Sequence, residues 1–557
     1  MDKLRALVLA GTVAFAPPAA ALAQEVVNVA GIEATRIVIA PPRTELARII
    51  KAGLSQSYAT AQKGTRAYEQ TQKLYFFYGA RHFEPLWLSH NDGGEVQFSA
   101  NAEKIIDVFR ASELEGFRPS DYLTEDLDVA AAGTDPARLA ALETAFSAAA
   151  MRYAQDAFGG RIDPLQVNKT WTITPKRINE AELLVKLAAS PDPAKVLLDL
   201  SPTHREFLGL KAALSRFYDG SVIDAAITIP EGKLLKPGMT DERVTPLRQR
   251  LDVPEPDIPE TAGAEARVDL TYDAPLVEAV KQFQESLGLN PDGAIGPATI
   301  AALNGGSATT KEDIIANMER WRWEPNDYGD FQVTVNIPEF RLWVMNKDQV
   351  HYTTRVVVGT PKHQTPLFND QIRHIVVNPY WNVPASIAVN EIKPHLLANP
   401  GYLSGQNMEM LYGGKVVNAS AIDWTQTNIQ QFHIRQKPGP GNALGQVKFL
   451  FPNQHDVYLH DTPSKSLFAR SFRAYSHGCV RVENPFDFAD ALLSLEPDMS
   501  ADTLKAAFGD KERWFNLTNR IPVHISYFTL RVDEDGTIRS YGDVYGMNER
   551  LKQLLAE

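Results

Sequence analysis

The sequence predicts a multidomain α+β protein with a helical N-terminal part, a small three-helix bundle and a mainly β C-terminal domain that carries an insertion. Its 557 residues leave room for three or four domains of about 150 residues each. Apolar residues recur with a helical period between about residues 66 and 306, whereas the alternation typical of strands begins near residue 328. The content of 44% hydrophobic and 22% charged residues is that of a globular chain.

The first 23 residues predict a secretory signal peptide. Lys3 and Arg5 precede an apolar run at 6–16, and Ala21-Leu22-Ala23 forms a small-residue cleavage site. The run is too short to span a membrane, and an uncleaved anchor is the alternative interpretation. No later stretch reaches 18 consecutive apolar residues, so we expect the mature chain to have no transmembrane span and to act outside the cytoplasm.

The helical part is predicted to comprise an extended lead-in at 24–65 and a helical scaffold domain at 66–230. The lead-in shows no sustained period. Within the scaffold, residues 102–114 carry apolar side chains at helical spacing, and the Ala-rich run at 137–157 ends before a pair of glycines. Nothing in the scaffold has the spacing of a catalytic site.

A smaller unit is predicted at 231–306, with helices at 244–251, at 275–289 and from Pro297 onwards. The Phe-Gln, Gly-Leu, Asp-Gly and Ile-Gly-Pro-x-Thr sequence of residues 283–299 resembles the peptidoglycan-binding module of cell-wall enzymes, a small three-helix bundle. The alternative is a helical spacer that binds no ligand.

A mainly β domain is predicted at 307–535, followed by a C-terminal tail at 536–557. Strand-like runs such as 331–337 are separated by Gly, Pro and Asn turns. Residues 395–445 are polar, Gly-rich and poorly periodic, and they are too numerous for an inert loop. We therefore predict a capping insertion over a site; a surface insertion without function is the alternative.

Charge and cysteine content exclude several functional classes. The chain has 56 Lys and Arg against 68 Asp and Glu, and its net charge of −12 disfavours bulk electrostatic binding of nucleic acid. A single cysteine cannot form an intramolecular disulfide or a Cys-rich zinc or iron–sulfur site. Because neither a phosphate-binding loop nor a paired-carboxylate site is evident, we expect no metal and no other cofactor.

The single cysteine, Cys479, lies in a pattern suited to nucleophilic catalysis. In the strand at 457–460, Tyr458 and His460 alternate with apolar residues, and downstream Cys479 and Arg481 do the same. All four side chains can therefore face one cleft if the two strands are neighbours. A histidine is the usual base that activates a thiol, and Gly478 permits the close backbone approach that an oxyanion site needs. These residues meet the requirements of acyl transfer through a thioester.

Three other interpretations stay open at this point. Cys479 could be a buried, inert thiol. His460, His477 and Cys479 could instead be zinc ligands, although no fourth ligand is evident. Either histidine could also be purely structural.

The pattern resembles the active-site signature of the L,D-transpeptidases, in which an upstream histidine precedes a Ser/Thr-His-Gly-Cys box. Ser476-His477-Gly478-Cys479 begins sixteen positions after His460. The likeness to the large periplasmic branch of that family, which has a scaffold domain and a peptidoglycan-binding module, extends over further stretches. They are Val358-Gly359-Thr360, Thr365-Pro366-Leu367-Phe368, the run at 378–384, Asn442-Ala443-Leu444-Gly445 and the run at 458–463.

The resemblance implies roles for the catalytic residues. Cys479 is the implied nucleophile and His460 the general base. Asp461, where many relatives have Gly, is expected to orient the imidazole through its main-chain carbonyl. His477 is expected to shape the site rather than to take the proton. The amides of Gly478 and Cys479 are the candidates for the oxyanion hole.

Four side chains are candidates for substrate binding. Arg481 is a candidate ligand for a substrate carboxylate, with a structural ion pair as the alternative. Tyr458 and Trp381 are candidate cleft walls, although core packing is the stronger interpretation of Trp381. Trp424, in the insertion, is expected to contact substrate because a core role is less available to a lid residue.

The resemblance further implies a periplasmic enzyme that forms 3→3 cross-links between peptidoglycan stem peptides. The partners are a tetrapeptide donor and a diaminopimelate acceptor, and carbapenem-type β-lactams are the implied inhibitors. An L,D-carboxypeptidase or a lipoprotein-anchoring transpeptidase would use the same acyl-enzyme. A non-catalytic cell-wall-binding scaffold is the alternative from another class.

Overall fold

The computed structural model describes residues 25–27, 37–218, 229–251, 253–256, 269–286, 289–305, 309–347, 349–470 and 472–557. The predicted signal peptide lies outside these residues. The chain divides into two compact units. The first contains residues up to Glu113 with Phe117–Gln155 and Ile178–Leu200, and the second contains Leu114–Gly116, Asp156–Arg177 and Ser201–Glu557. None of the helices among the described residues is both long and apolar enough to cross a bilayer.

The first unit is mainly helical, as predicted. Its helices are Glu45–Thr60, Arg66–Ala80, Ala100–Arg110, Val129–Ala132, Pro136–Gly159 (which continues into the second unit), Glu180–Ala189 and Pro193–Leu198. Short antiparallel strands pair Glu25–Val27 with Ile37–Ile39 and Leu88–His90 with Val96–Phe98.

The predicted extended lead-in is partly wrong, because residues 45–60 form a helix. Thr44 caps its N-terminus by accepting a hydrogen bond from the amide of Ala47, and Ala47, Ile50 and Leu54 make a buried face.

Two segments that we assigned to the helical scaffold belong to the unit that contains the large sheet. Trp171 and its neighbours Val167 and Ile173 are buried in the same hydrophobic core as the strands. The helix Arg205–Tyr218 packs through Phe207 and other apolar residues against the helix Lys311–Trp323. Helical periodicity identified these segments as helical or buried, but it does not specify which core they join.

The predicted three-helix bundle is present, with helices Val244–Arg250, Ala274–Ser286 and Pro297–Gly305. Its core includes Leu247, Leu276 and Val280. The fold class of helical N-terminal region, small bundle and mainly β C-terminal domain is therefore confirmed.

The β domain is built on nine strands. They are β1 Phe331–Asn336, β2 Arg341–Asn346, β3 Gln349–Gly359, β4 Phe368–Val377, β5 Val447–Leu450, β6 Leu459–His460, β7 Ala474–Ser476, β8 Val480–Val482 and β9 Arg513–Ser526. Their order in the sheet is β7-β3-β8-β6-β5-β4-β9-β1-β2, and β2 also pairs with β3. One face of these strands packs with the helix Pro485–Leu493 into the main core. A shorter helix, Ala501–Ala506, follows that helix.

The insertion is a small folded subdomain with its own core. Four strands, Trp381–Asn382, Met408–Tyr412, Lys415–Val417 and His433–Gln436, form an antiparallel sheet. The helical segments are Ala385–Ile387, a π-helical turn Ala388–Ile392, Lys393–Ala398 and Tyr402–Gly405. The subdomain therefore begins with the strand at Trp381, before the predicted start at residue 395.

The predicted C-terminal tail is part of the fold. A hairpin pairs Leu530–Val532 with Ile538–Ser540, and a helix spans Met547–Ala556. Met547 and Leu551 are buried in the main core. The hairpin is short and the helix Met547–Ala556 has only 10 residues, so neither shows a hydrophobic period long enough to predict this packing.

Candidate active site

The strand register brings the predicted site residues together on one face of the sheet. On β6, His460 lies opposite Lys448 of β5 on one side and Arg481 of β8 on the other. The alternate residues Leu459 and Val480 are fully buried in the main core. Directly opposite residues share a face of a sheet, so the predicted alternation places His460 and Arg481 on the face away from that core.

Cys479 immediately precedes β8 and is a half-buried free thiol. Its Sγ lies 3.9 Å from the carbonyl oxygen of Asp456. Burial raises the pKa of the Cys479 thiol to about 11, although hydrogen bonds from Tyr458 and the charge of Arg481 act in the opposite direction. The resting sulfur is therefore protonated at neutral pH and needs a base when it attacks.

His460 is only 4% exposed, and a single hydrogen bond fixes its tautomer. Nδ1 lies 2.5 Å from the carbonyl oxygen of Asp461. A carbonyl only accepts, so Nδ1 carries the proton and Nε2 presents its lone pair. Burial, followed by the charges of Arg481 and Lys448, lowers the pKa of His460 to about 3. The imidazole is thus neutral at neutral pH and can accept a proton.

The side chain of Asp461 holds the preceding loop in place. Its Oδ2 accepts a 2.9 Å hydrogen bond from the amide of Gln446, and its Oδ1 lies 2.7 Å from Nζ of Lys465. Gly445 has φ +60°, and a Cβ at that position would lie 2.2 Å from Oδ2 of Asp461. The loop can therefore pass this close to the carboxylate only because residue 445 is glycine.

The Ser-His-Gly-Cys turn is closed by the buried Ser476. Its Oγ donates to the carbonyl of Cys479 over 2.5 Å and accepts from the amide of Gly478 over 3.1 Å. Gly478 has φ +117°, a conformation that side-chain-bearing residues rarely adopt. Of the two amides predicted for an oxyanion hole, that of Gly478 already donates its hydrogen bond to Ser476 Oγ. The Cys479 amide donates no hydrogen bond to any described residue.

His477 contacts the insertion. Its Nε2 lies 2.9 Å from Oε1 of Glu391, in the π-helical turn, and its ring lies 4.9 Å from the ring of His363. Both side chains are about half exposed, so we expect the contact to contribute little to stability.

Arg481 lies in an environment suited to binding an anion. Its side chain is half-buried, and its Nε is shielded from solvent without a hydrogen bond. Within the part of the chain that the structure describes, no carboxylate lies in ion-pair distance of its guanidinium. The alternative of a structural ion pair therefore finds no partner there.

The tryptophans of the insertion differ in accessibility. Trp381 is half-buried and packs against the core of the insertion. Trp424 is 3% exposed within that core, and its Nε1 donates to the carbonyl of Ala419 over 3.0 Å. The expectation that Trp424 contacts substrate is wrong for this structure, because the insertion has a core of its own and Trp424 lies in it.

Sequence reasoning missed Lys448, which lies opposite His460. Its side chain is 7% exposed, and its Nζ lies 5.9 Å from the centre of the Tyr458 ring. The available indication was a lysine at an alternate position of the apolar strand Val447–Leu450, but such lysines usually face solvent.

No group of three or more His, Cys, Asp or Glu side chains in the described ranges is arranged to hold a metal ion. The zinc interpretation of His460, His477 and Cys479 therefore has no ligand set there.

Comparison with known families gives three matches along the chain. Residues 330–506 match the family model of the L,D-transpeptidase catalytic domain, YkuD. Residues 72–214 match a scaffold domain, and residues 259–303 match a "Putative peptidoglycan binding domain".

A curated relative carries the same assignment. The chain is 32% identical over 260 residues to a "Putative L,D-transpeptidase" of Haemophilus influenzae, which corresponds to 45% of this chain and 52% of that protein. The chain thus spans about half the length of this relative.

Solved structures of L,D-transpeptidases are more distant. One from Xylanimonas cellulosilytica is 17% identical, covers 53% of this chain and 99% of its own, and has a TM-score of 0.19. One from Stackebrandtia nassauensis is 13% identical, covers 54% and 96%, and has a TM-score of 0.22. Scores this low carry no argument about fold or function. The family matches and the curated relative show that residues 330–506 are similar to the catalytic domain of L,D-transpeptidases.

Proposed function

We propose that this protein is a peptidoglycan L,D-transpeptidase that forms 3→3 cross-links through a thioester on Cys479. The observation that carries the proposal is the neutral imidazole of His460, held by the Asp461 carbonyl on the strand next to Cys479. The catalytic-domain match at 330–506 and the peptidoglycan-binding match at 259–303 point to the same substrate.

In the first half-reaction, the sulfur of Cys479 attacks the carbonyl of the third residue of a tetrapeptide stem while His460 takes the thiol proton. The amide of Cys479 stabilises the oxyanion, as its free N–H allows. The C–N bond then breaks, and His460 gives its proton to the departing D-alanine. The product is a thioester, and Arg481 holds a carboxylate of the donor stem.

In the second half-reaction, the side-chain amine of diaminopimelate on a neighbouring stem attacks the thioester. The C–N bond forms, the C–S bond breaks, and the proton of the amine passes through His460 to the sulfur. The Asp461 side chain and His477 act through the loops that they hold, whereas Tyr458 forms the wall beside the sulfur. No metal or cofactor takes part.

We further propose that the protein acts in the periplasm after removal of the signal peptide and that carbapenem-type β-lactams acylate Cys479. The proposed domains keep the predicted division into helical scaffold, peptidoglycan-binding module, catalytic domain and insertion. Their bounds follow the two compact units where these differ from the prediction.

The products formed from a disaccharide-tetrapeptide test the proposal. Mass spectrometry should find a cross-linked dimer and free D-alanine with the wild-type protein and neither with Cys479→Ala. Disaccharide-tripeptide alone would instead indicate an L,D-carboxypeptidase. Transfer only to a lipoprotein lysine would indicate an anchoring enzyme. No product and no carbapenem adduct would leave a non-catalytic cell-wall-binding scaffold.

A further inference from the structure

A cation opposite His460 and the carboxylate that it contacts have no role in the steps above. Nζ of Lys448 is 3.7 Å from Oε1 of Glu512. The aromatic rings of Tyr458 and Trp514 flank this ammonium, with their centres 5.9 Å and 5.8 Å away. Lys448 is nearly buried, whereas Trp514 is 54% exposed.

The two charges are held unequally. Glu512 is oriented by two donors, the amide of Tyr380 at 2.9 Å and Nε1 of Trp514 at 3.1 Å. Within the described residues the ammonium of Lys448 has one anionic partner, Glu512, at the long distance of 3.7 Å. An ammonium has three donors, so a nearly buried one with a single distant partner has the capacity to bind a further anion.

The register places Lys448 and Trp514 in line with the catalytic residues. Trp514 lies opposite Val376, Val376 opposite Lys448, Lys448 opposite His460, and His460 opposite Arg481. His460 thus stands between two cations on one face of the sheet. Adjacent strands are about 4.8 Å apart, so the backbones of Lys448 and Arg481 are about 10 Å apart. The site has two ends that can hold anions, one on each side of the base.

The proposed reaction requires recognition of the same chemical group twice. The leaving D-alanine and the acceptor centre of diaminopimelate each present a nitrogen on a D-configured carbon that also bears a carboxylate. Because His460 protonates the first nitrogen and deprotonates the second, both nitrogens must pass through the same position beside Nε2. One subsite can therefore serve both half-reactions.

Resting on that function, we propose that Lys448 and Glu512 form a subsite for the head group of a D-amino acid. Lys448 binds the carboxylate of the leaving D-alanine and then that of the acceptor. Glu512 binds the ammonium of the acceptor, takes its first proton and releases that proton to solvent once the product has left. The neutral amine then forms the C–N bond to the thioester carbonyl, its second proton passes to His460, and the C–S bond breaks as the sulfur is reprotonated.

The charge balance around His460 supports this assignment. After burial, the charges of Arg481 and Lys448 are the next causes that lower the pKa of His460. A carboxylate bound to Lys448 would offset part of that field and so raise the pKa. His460 would then be a stronger base once the head group is bound.

The experiment compares the wild-type protein with Lys448→Met, Lys448→Arg and Glu512→Gln. Lys437→Met, at an exposed lysine that pairs with Glu409 in the insertion, is the matched control. Alkylation of Cys479 by iodoacetamide, a neutral reagent, monitors by intact mass whether each variant keeps its thiol site. The assays are D-alanine release from a tetrapeptide and transfer to a diaminopimelate tripeptide or to its D-centre carboxamide.

Lys448→Met should raise the KM for the tetrapeptide at least tenfold, and Lys448→Arg should recover most of that loss. Glu512→Gln should lower the ratio of transfer to hydrolysis at least tenfold. The wild type should prefer the carboxylate acceptor to the carboxamide at least tenfold, and Lys448→Met should lose that preference. Lys437→Met should match the wild type throughout.

Equal use of both acceptors by the wild type would overturn the inference and leave the proposed function intact. The inference would also be overturned if Lys448→Met kept the wild-type KM and the wild-type preference for the carboxylate acceptor. The same holds if Glu512→Gln kept the wild-type ratio of transfer to hydrolysis. If Lys448→Met loses alkylation as well, Lys448→Arg and Glu512→Gln decide the question. A wild-type protein that alkylates normally but forms no thioester with the tetrapeptide would overturn the proposed function itself.

Discussion

Gly445→Ala should destabilise the active-site loop much more than an equivalent change at an open glycine. Alanine at φ +60° costs about 1–2 kcal/mol of backbone strain. Its Cβ would lie 2.2 Å from Oδ2 of Asp461, so the carboxylate must move and lose its hydrogen bond from Gln446. A hydrogen bond to a charged group contributes about 1.5–3 kcal/mol, whereas the half-exposed Lys465 adds little. The total is about 2.5–5 kcal/mol.

Gly414→Ala is the matched control, because Gly414 has φ +80° and no atom lies within 4 Å of the position that its Cβ would occupy. We expect it to cost only the strain, about 1–2 kcal/mol, in its own hairpin and to leave the loop at residue 445 as stable as in the wild type. Native-state hydrogen exchange of the amides of Gln446 and Asp461 measures the opening free energy of the loop in both variants. Since the Asp461 carbonyl orients His460, Gly445→Ala should also slow D-alanine release at least tenfold. Equal opening free energies in the two variants would refute the reasoning.

Three further predictions concern pH, the insertion and the Ser-His-Gly-Cys turn. The pKa values of His460 and His524 lie at about 3 and about 4, below the ordinary 6.5, because both are buried. Between pH 6.5 and 4 the unfolded chain therefore binds more protons than the folded chain. As the pH falls through this range, each histidine lowers the free energy of unfolding by about 1.4 kcal/mol per pH unit. Glu324, whose pKa burial raises from 4.5 to about 7, has the opposite sign and offsets one histidine between pH 4.5 and 7. His204, whose pKa burial also lowers to about 4, adds a loss of the same sign. Urea unfolding followed by circular dichroism should therefore show a net loss that His524→Gln reduces by about 1.4 kcal/mol per pH unit in that range, and an unchanged slope would contradict the assignment. Trp424→Ala should cost about 3–5 kcal/mol and raise hydrogen exchange at 381–437 while the nine-stranded sheet stays protected; uniform exchange would argue against a separate core. Ser476→Ala should cost about 1–3 kcal/mol and slow thioester formation, because the turn loses both hydrogen bonds; wild-type rates would show that the turn holds without them.

Strand alternation was sufficient to predict the face of the sheet that carries Tyr458, His460 and Arg481. Alternation is a local property, and the apolar residues between them identify the buried side. The side-chain role of Asp461 was not predictable, because it depends on contact with Gly445, sixteen positions earlier. Lys448 was missed for a similar reason, since only the pairing of strands shows that it lies opposite His460.

The helical and insertion segments show the same limit. Composition correctly indicated that residues 395–445 are unusual, but their polar, Gly-rich character concealed a core built from widely spaced residues such as Trp424. The helical scaffold predicted at 66–230 included the helix Arg205–Tyr218, but the sequence did not indicate that this helix joins the core beside Phe528. Partner choice depends on long-range packing, which a single sequence does not display.

The proposed function requires that a stem peptide be carried as a thioester on Cys479, and the mass of the acyl-enzyme tests this requirement most directly. The protein is mixed with a tetrapeptide stem, quenched in acid and subjected to intact and peptide mass spectrometry. We predict one adduct equal to the stem without its D-alanine, located on Cys479 and absent from Cys479→Ala and His460→Ala. D-alanine release by Cys479→Ala at the wild-type rate, or an adduct on another residue, would contradict the proposed function.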